Sequence, residues 1–415
     1  MQKNSVVKDE LPVFEDALSE LLRHGARKLI MEAVQAEMAG FIEAYQHMKL
    51  GDGRQVVVRN GYLPEREVMT GVGPVQVSVP KSRDRSAQGI RFSSTLIPPY
   101  LKRSQNLEEL LPVLYLKGIS TGDFQEALEA LLGEGARGLS ASTISRLKAS
   151  WQDEYEAWRK APIEERIIYL WVDGLYLNVR LADSRHCLLV VIGVTETGQK
   201  RFLAIEDGYR ESEQSWLEVL SKLKAKGLTQ APELAIGDGA LGFWKALKKL
   251  YPETKQQRCW LHKTMNVLDK APKATQPKMK TALRDIYMAE DKQQAAQAFD
   301  TFLRSYQAKY PQACECLKKD HASLLSFYDF PAEHWRSLRT TNPIESVFAG
   351  FSLRTDKTRG CLSRETGLAM IFKLAMSAQQ RMHRLAGYKR IQEVIRGIKF
   401  VDGIPEYQQG LEHAA

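Results

Sequence analysis

Between residues 166 and 258, apolar runs and amphipathic segments follow one another in an order that strongly limits the fold. Strands are expected at 167–172, 175–181, 187–195 and 201–206, a helix at 212–226, a strand at 233–237, a helix at 241–250 and a short strand near 255–259. A meander of strands followed by helix, strand, helix and strand predicts a mixed sheet flanked by helices, an α/β arrangement. Its first segment poses a question. "IIYLWVDGLYLNVR", residues 167–180, has the β-branched and aromatic content of a buried strand, yet Asp173 interrupts it. Taken alone, Asp173-Gly174 between two apolar runs reads as the two-residue turn of a hairpin.

The flanking chain is organised differently. Residues 12–48 carry Phe14, Leu18, Leu21, Leu22, Leu29, Ile30, Val34, Met38 and Ile42 at helical spacing. From 54 to 80 short strands are expected, with turn signals at "NGY" (60–62) and "GVGP" (71–74) and with Val75, Val77 and Val79 alternating. A basic connector follows. Residues 105–160 read as two helices around a Gly-rich turn, the second capped by Ser140 or Ser142 and displaying Thr143, Ser145, Arg146 and Lys148. A helix-turn-helix would lay Thr143, Arg146 and Lys148 in a DNA major groove, but the turn at 133–139 is long for that motif and a plain helical pair remains open. Residues 261–335 are helical in pattern and offer little to extend the sheet, so they read as an insertion; helices at 341–385 follow. The expected organisation is a helical element (1–50), a β-rich segment with its connector (51–104), a helix-turn-helix-like region (105–160), the first part of the core (161–260), the helical insertion (261–335) and a completing segment with C-terminal helices (336–415).

At 415 residues the chain calls for two or three domains. No apolar run approaches the roughly 18 residues that span a bilayer, and the start lacks the apolar stretch of a secretion signal, so no membrane partner and a cytoplasmic location are expected. Cys187, Cys259, Cys314, Cys316 and Cys361 are odd in number and widely spread, which argues for free thiols. The formal net charge is +9, concentrated at 80–92, 100–104, 335–342 and 353–364; such clusters favour a polyanion such as nucleic acid.

Three acids each have an ordinary structural reading. Asp173 fits the turn. Asp238, in "LAIGDGALGFWKALKKL", fits a helix N-cap. Glu345, in "TTNPIESVF", lies three residues after Asn342 with Pro343 between them, close to a capping box. Taken together they have another reading. Acids at the ends of two neighbouring strands, joined by a third from a later helix, repel one another unless cations hold them, and paired Mg²⁺ ions about 4 Å apart, with Mn²⁺ as a substitute, serve this purpose in phosphoryl transfer. Cys259-Trp260-Leu261-His262, with Cys314 and Cys316 further on, invites a zinc site but lacks the usual paired spacings; a buried thiol beside a satisfied histidine explains it as well. Trp260 suits either core packing or stacking on an unpaired base. Arg354, Lys357 and Arg359 form either a solvated basic face or a phosphate clamp. His186 reads as part of a strand-to-strand loop.

Asp173, Asp238 and Glu345, spaced 65 and 107 positions apart, resemble the acids of the Asp-Asp-Glu transposases of the Mutator-like bacterial insertion-sequence family. "WVDGLYLNVR", "GDGALGFWKAL", "QRCWLHKTMNVLDKAPKATQPKMK", "TTNPIESVFAGFSLRTDKTRG" and "RNGYLPEREVMTGVGPVQVSVPKSRD" also resemble that family's segments, roughly from residue 15 to 400. The resemblance implies an RNase H-like core interrupted by a helical insertion. It implies a transposase that binds the terminal inverted repeats of its element, exposes 3′-hydroxyls and joins them to target DNA, acting as at least a dimer. Asp173, Asp238 and Glu345 would hold two Mg²⁺ ions, and Cys259 and His262 would sit near the active site in a structural or DNA-end role. A sequence-specific DNA-binding regulator without catalysis, and an RNase H-type nuclease, remain the alternatives.

Overall fold

The computed structural model describes residues 17–107, 110, 114, 124–132, 141–177, 186–208, 211–239, 241–357 and 364–408. The chain divides into two units, Met1–Leu147 and Lys148–Ala415. In the first, the helix Ala17–Ala44 is followed by β1 (Val57–Tyr62), β2 (Arg66–Thr70), β3 (Gly73–Val77) and β4 (Pro80–Asp84). β1 pairs antiparallel with β4 and β2 with β3, the latter around the expected Gly71-Val72 turn. "NGY" is no turn, however. It lies within β1, where the register slips between Arg59 and Tyr62 and Gly61 takes a φ of +70° that a glycine accepts without a Cβ clash. Val75, Val77 and Val79 bury one face against Val34 of the helix, with Val68 and Ile97. The Pro-containing connector is tied down by two charged side chains. Glu37 accepts from the Thr95 and Leu96 amides at 3.0 and 3.2 Å, and Arg66 donates to the carbonyls of Ile97, Pro98, Pro99 and Leu101. Of the candidate helix-turn-helix, the helices Phe124–Leu132 and Ala141–Lys160 are present; the turn at 133–140 lies outside the described residues.

The second unit is built on a five-stranded sheet. β5 (Ile167–Leu177), β6 (His186–Thr195) and β7 (Lys200–Gly208) form an antiparallel meander; the helix Glu213–Ala225 leads to β8 (Leu234–Gly237) and the helix Leu241–Leu250 to β9 (Lys255–Arg258). The order is β7-β6-β5-β8-β9, with β8 and β9 parallel to β5. β5 is covered on both faces, which is why its sequence is apolar up to Asp173 instead of alternating. On one side Leu170, Val172, Leu189 and Val191 pack with Trp216, Leu220, Phe243 and Leu247 of the two crossover helices. On the other, Ile168, Trp171, Val190 and Ile236 pack with Trp260, Leu283 and Phe302 of the later helices and with Phe351 and Ile371.

Two strands were expected around Asp173 and one is present. Asp173 pairs with Val190 and Gly174 with Leu189 in an unbroken ladder, so Asp173-Gly174 is not a hairpin turn. His186 likewise begins β6 and is not part of a loop. The segment from 260 to 338 is helical, with Trp260–Leu268, Gln276–Tyr287, Lys292–Tyr306 and Pro311–Lys318 followed by short turns. It is bound to the sheet edge by polar contacts. Lys263, 2% exposed, pairs with Asp320 and donates to the Cys316 carbonyl at 2.8 Å, and Arg258 lies 3.2 Å from the same Asp320. Gln257 bridges the Leu324 carbonyl and the Phe327 amide.

Asp320 is thus the counter-ion of two buried cations. Asp320→Ala is expected to lower stability by about 3–5 kcal/mol, the cost of leaving buried charges without a partner, as a fall in the urea midpoint. A loss below about 1 kcal/mol, the size of an exposed pair, would contradict this role.

Candidate active site

The parallel register of β5 and β8 builds the centre of the site. Tyr169 faces Leu234, Leu170 faces Ala235 and Trp171 faces Ile236. Asp173 lies two residues beyond Trp171 and Asp238 two beyond Ile236, and the Asp238 charge is felt at Asp173. β8 ends at Gly237 while β5 continues, so the two acids lie where the sheet opens. Asp238 follows β8, ahead of the helix Leu241–Leu250. Its carbonyl oxygen accepts from Trp244 Nε1 at 2.9 Å and from Arg258.

Asp173 is 8% exposed. Its Oδ1 accepts the Gly174 N–H at 2.9 Å. Burial pushes its carboxyl up to about 7; His262 pulls it down, while Asp238 and Glu211 add to the rise. It is an acid that ionises only at considerable cost.

Glu345 reaches the site on the helix Asn342–Lys357. The cap of this helix is Thr341, not the expected Asn342: the Thr341 carbonyl accepts from the Ile344 and Glu345 amides, and Asn342 is exposed. Thr341 is fully buried. Its hydroxyl lies 2.8 Å from Glu345 Oε1, 3.2 Å from Cys259 Sγ and 3.4 Å from His262 Nδ1, and its amide donates to the same sulfur at 3.3 Å. His262 Nδ1 is 3.8 Å from Glu345 Oε1. Among the described residues, Cys259, His262 and Glu345 form the group of three whose ligand atoms all lie within 4.8 Å of one another; Asp173, Asp238 and Glu345 do not meet at that radius. The hydrogen bond with Cys259 raises the His262 imidazole to about 9, and Asp173 and Asp238 add to it. Burial works to raise the Cys259 thiol, but hydrogen bonds from His262 and Thr341 together carry it below its ordinary value. The His262 ring, pushed up to about 9, therefore feels both aspartates and lies 3.8 Å from Glu345, where the acids need positive charge.

Other candidates fall elsewhere. Cys314 is buried in the helix Pro311–Lys318 and Cys316 is half-buried, and neither joins the Cys259 group. Trp260 is 1% exposed, donates to the Leu324 carbonyl at 2.8 Å and packs on Tyr287, leaving no face for a base. Arg146 is exposed on the helix Ala141–Lys160; Thr143 and Lys148 share that helix, but their side chains lie outside the described residues. The same holds for Arg354 and Lys357 on the Glu345 helix, and Arg359 lies wholly outside. Arg339, from one of the basic clusters, turns inward to the Tyr287 carbonyl and lies over the Phe327 ring.

Sequence reading missed Glu211, which stands just before the helix Glu213–Ala225 in "YRESEQSW". Burial raises its carboxyl, and Asp238 acts in the same direction. Its position answers the question posed by Gly174. A Cβ built at Gly174 would lie 2.3 Å from Glu211 Oε1, and one built at Gly242 would lie 2.5 Å from the Glu211 carbonyl oxygen. Gly174 thus leaves room for an acid; it makes no turn.

The Mutator-family transposase model matches residues 2–382. The transposase for insertion sequence element IST2 of Acidithiobacillus ferrooxidans is 51% identical over 283 residues, 68% of this chain and 95% of that protein. The transposase for IS6120 of Mycolicibacterium smegmatis is 52% identical over 276 residues, 66% of this chain and 85% of its own length. The transposase for ISRM5 of Rhizobium meliloti is 28% identical over 382 residues, 91% of each chain. A structure of a simian T-cell lymphotropic virus intasome in complex with PP2A regulatory subunit B56 gamma aligns with 49% of this chain and 63% of its own at 14% identity, with a TM-score of 0.18, too low to bear on the fold.

A carboxyl raised on folding contributes stability in its neutral form, whole below its ordinary 3.8 and lost as pH rises through about 7. Asp173→Asn, neutral throughout, is expected to melt several degrees above wild type at pH 8.5 without divalent cations, with the gain shrinking toward pH 4.5. A gain independent of pH would contradict the assignment.

Proposed function

This chain belongs to the Mutator family of transposases, and we propose that it cuts and joins DNA as an Asp-Asp-Glu enzyme built on an RNase H-like core. The five-strand mixed sheet, with its meander followed by two parallel strands, supports that core. The observation that supports the reading is the β5–β8 register, with buried Asp173 on β5 and Asp238 just past the end of β8, close enough for its charge to act on Asp173.

The donor chemistry fits a hard divalent cation at that end. Asp173 and Asp238 offer carboxylate oxygens, the ligands Mg²⁺ prefers, and a cation there would offset the burial and repulsion that oppose ionisation of Asp173. Cys259 and His262 offer sulfur and nitrogen, and they suit a role in organising Glu345. Asp173 and Asp238 would hold two Mg²⁺ ions, with Mn²⁺ as a substitute, and Glu345 would complete the shell of one. Bound there, such ions activate an attacking oxygen and stabilise the leaving one. The protein's own part would be to hold the three carboxylates on a strand, just past a strand end and on a capped helix. Water would release 3′-hydroxyls at the element's terminal inverted repeats, and these would then attack target DNA, with no covalent enzyme intermediate. Exposed Arg146, with Thr143, Lys148, Arg354, Lys357 and Arg359, would contact DNA. Two element ends call for at least a dimer.

Asp238→Asn and Glu345→Gln are each expected to reduce Mg²⁺-dependent nicking of DNA carrying the element's ends by about 10²–10³-fold or more, the scale of losing one group that stabilises transition-state charge. Gel-shift binding of the same DNA should persist. Full cleavage by either folded variant would refute the assignment; binding without metal-dependent nicking in the wild type would indicate a regulator.

A further inference from the structure

The donor atoms that converge in this protein are of three kinds, a sulfur, an imidazole nitrogen and a carboxylate oxygen. Cys259, His262 and Glu345 each offer one ligand atom within 4.8 Å of the other two, the one such group among the described residues. Two helix starts build it. Cys259 holds the N-cap position of the helix Trp260–Leu268 without capping it through its side chain, and His262 follows three residues later in the first turn. Glu345 comes from the first turn of the helix Asn342–Lys357. Backbone ties hold the two starts together: the Trp260 amide donates to the Arg339 carbonyl at 2.9 Å, and the Thr341 amide donates to Cys259 Sγ at 3.3 Å.

The spacing approaches that of one tetrahedral ion. Two ligand atoms bonded to the same Zn²⁺ at about 2.0–2.3 Å stand about 3.3–3.6 Å apart. His262 Nδ1 is 3.8 Å from Glu345 Oε1, and the ring is hydrogen-bonded to the Cys259 sulfur. The buried Thr341 hydroxyl, 2.8 Å from the Glu345 oxygen, 3.2 Å from the sulfur and 3.4 Å from the imidazole nitrogen, is placed as an outer-shell group that orients all three. Cys259 is buried, while His262 and Glu345 are only half-buried, which gives an ion a side from which to enter. A thiolate and an imidazole beside a single carboxylate select Zn²⁺ over the hard ions Mg²⁺ and Mn²⁺, which favour oxygen. We infer that Cys259, His262 and Glu345 form a Zn²⁺ site with three protein ligands and a fourth position for water. Its consequence rests on the reading of Glu345 as a ligand of the Mg²⁺ centre. Glu345 does not meet Asp173 and Asp238 at the radius at which it meets Cys259 and His262. Zinc bound here fastens Glu345 on the Cys259 side and so inhibits cleavage.

The test uses the full-length chain without DNA, in excess Mg²⁺, with Co²⁺ as the coloured stand-in for Zn²⁺. The wild type should develop sulfur-to-cobalt charge-transfer absorption together with the visible bands of a four-coordinate ion, and Zn²⁺ should bleach both. Cys259→Ser should abolish the charge-transfer band. Glu345→Gln and His262→Ala should keep a sulfur ligand but bind Zn²⁺ about tenfold more weakly or worse. Cys316→Ser, a thiol outside the group, should bind as wild type. Thermal melts without metal report folding; if Cys259→Ser does not fold, the other two variants carry the comparison. A wild type without the charge-transfer band, a band that survives in Cys259→Ser, or unchanged Zn²⁺ affinity in Glu345→Gln would overturn the site. None of these readings requires cleavage, so the site is judged apart from the three-acid reading. In the nicking assay, Zn²⁺ should inhibit the wild type, and the half-inhibiting concentration should rise about tenfold or more in His262→Ala, measured against its own zinc-free rate. Equal inhibition of both would overturn the withdrawal of Glu345 by zinc. A chain that binds zinc as expected but never nicks DNA would overturn the three-acid reading and leave the zinc site standing.

Discussion

The short parallel ladder between β5 and β8 is the constraint on which the candidate site depends. It spans three residue pairs, the last of them, Trp171 and Ile236, two residues before Asp173 and Asp238. β5 is the central strand of its sheet, buried on both faces, and cannot slip by one residue without exchanging the side chains packed in its two cores. Its register is therefore held by the core, and the core holds the acids. The same burial makes Asp173 costly to ionise, so the rigidity that places the carboxylate also supplies its demand for positive charge.

That demand is met in part by the protein. His262 feels both aspartates, is hydrogen-bonded to Cys259 and stands 3.8 Å from Glu345. Buried Thr341 links Cys259, His262 and Glu345 through one hydroxyl. The Cys259 sulfur, the His262 ring and the Thr341 hydroxyl form a polar network in which each member has a partner, as a buried network must to avoid a desolvation penalty. Because it includes the first turn of the Glu345 helix, the network couples the position of that acid to the end of β9, where Cys259 lies.

Much of the fold was legible in the sequence because its signals were redundant. The crossover helices were marked by their periodicity and β8 by its apolar run ending at Gly237, and β9, polar throughout, was placed by its turn in the alternation. The errors share one physical origin. Asp173-Gly174 and Asn342 were given local roles as turn and cap, for which their residue types are suited. In each case a tertiary requirement prevailed: an unbroken strand with room for Glu211, and a buried threonine one residue before the expected cap. Glu211 itself carried no signal. It is one acid among several in "YRESEQSW", and only the glycines of other segments, matched to it in space, single it out.

The account rests on Asp173 and Asp238, with Glu345, converging on a shared divalent cation when DNA is bound. Anomalous diffraction from crystals of the chain with a DNA end and Mn²⁺ tests this most directly. The account predicts anomalous density bonded to oxygens of both Asp173 and Asp238, with Glu345 drawn from Thr341 into the same coordination shell. Density confined to the Cys259–His262 pair, or aspartate oxygens that touch no common ion in an assembled complex, would contradict it.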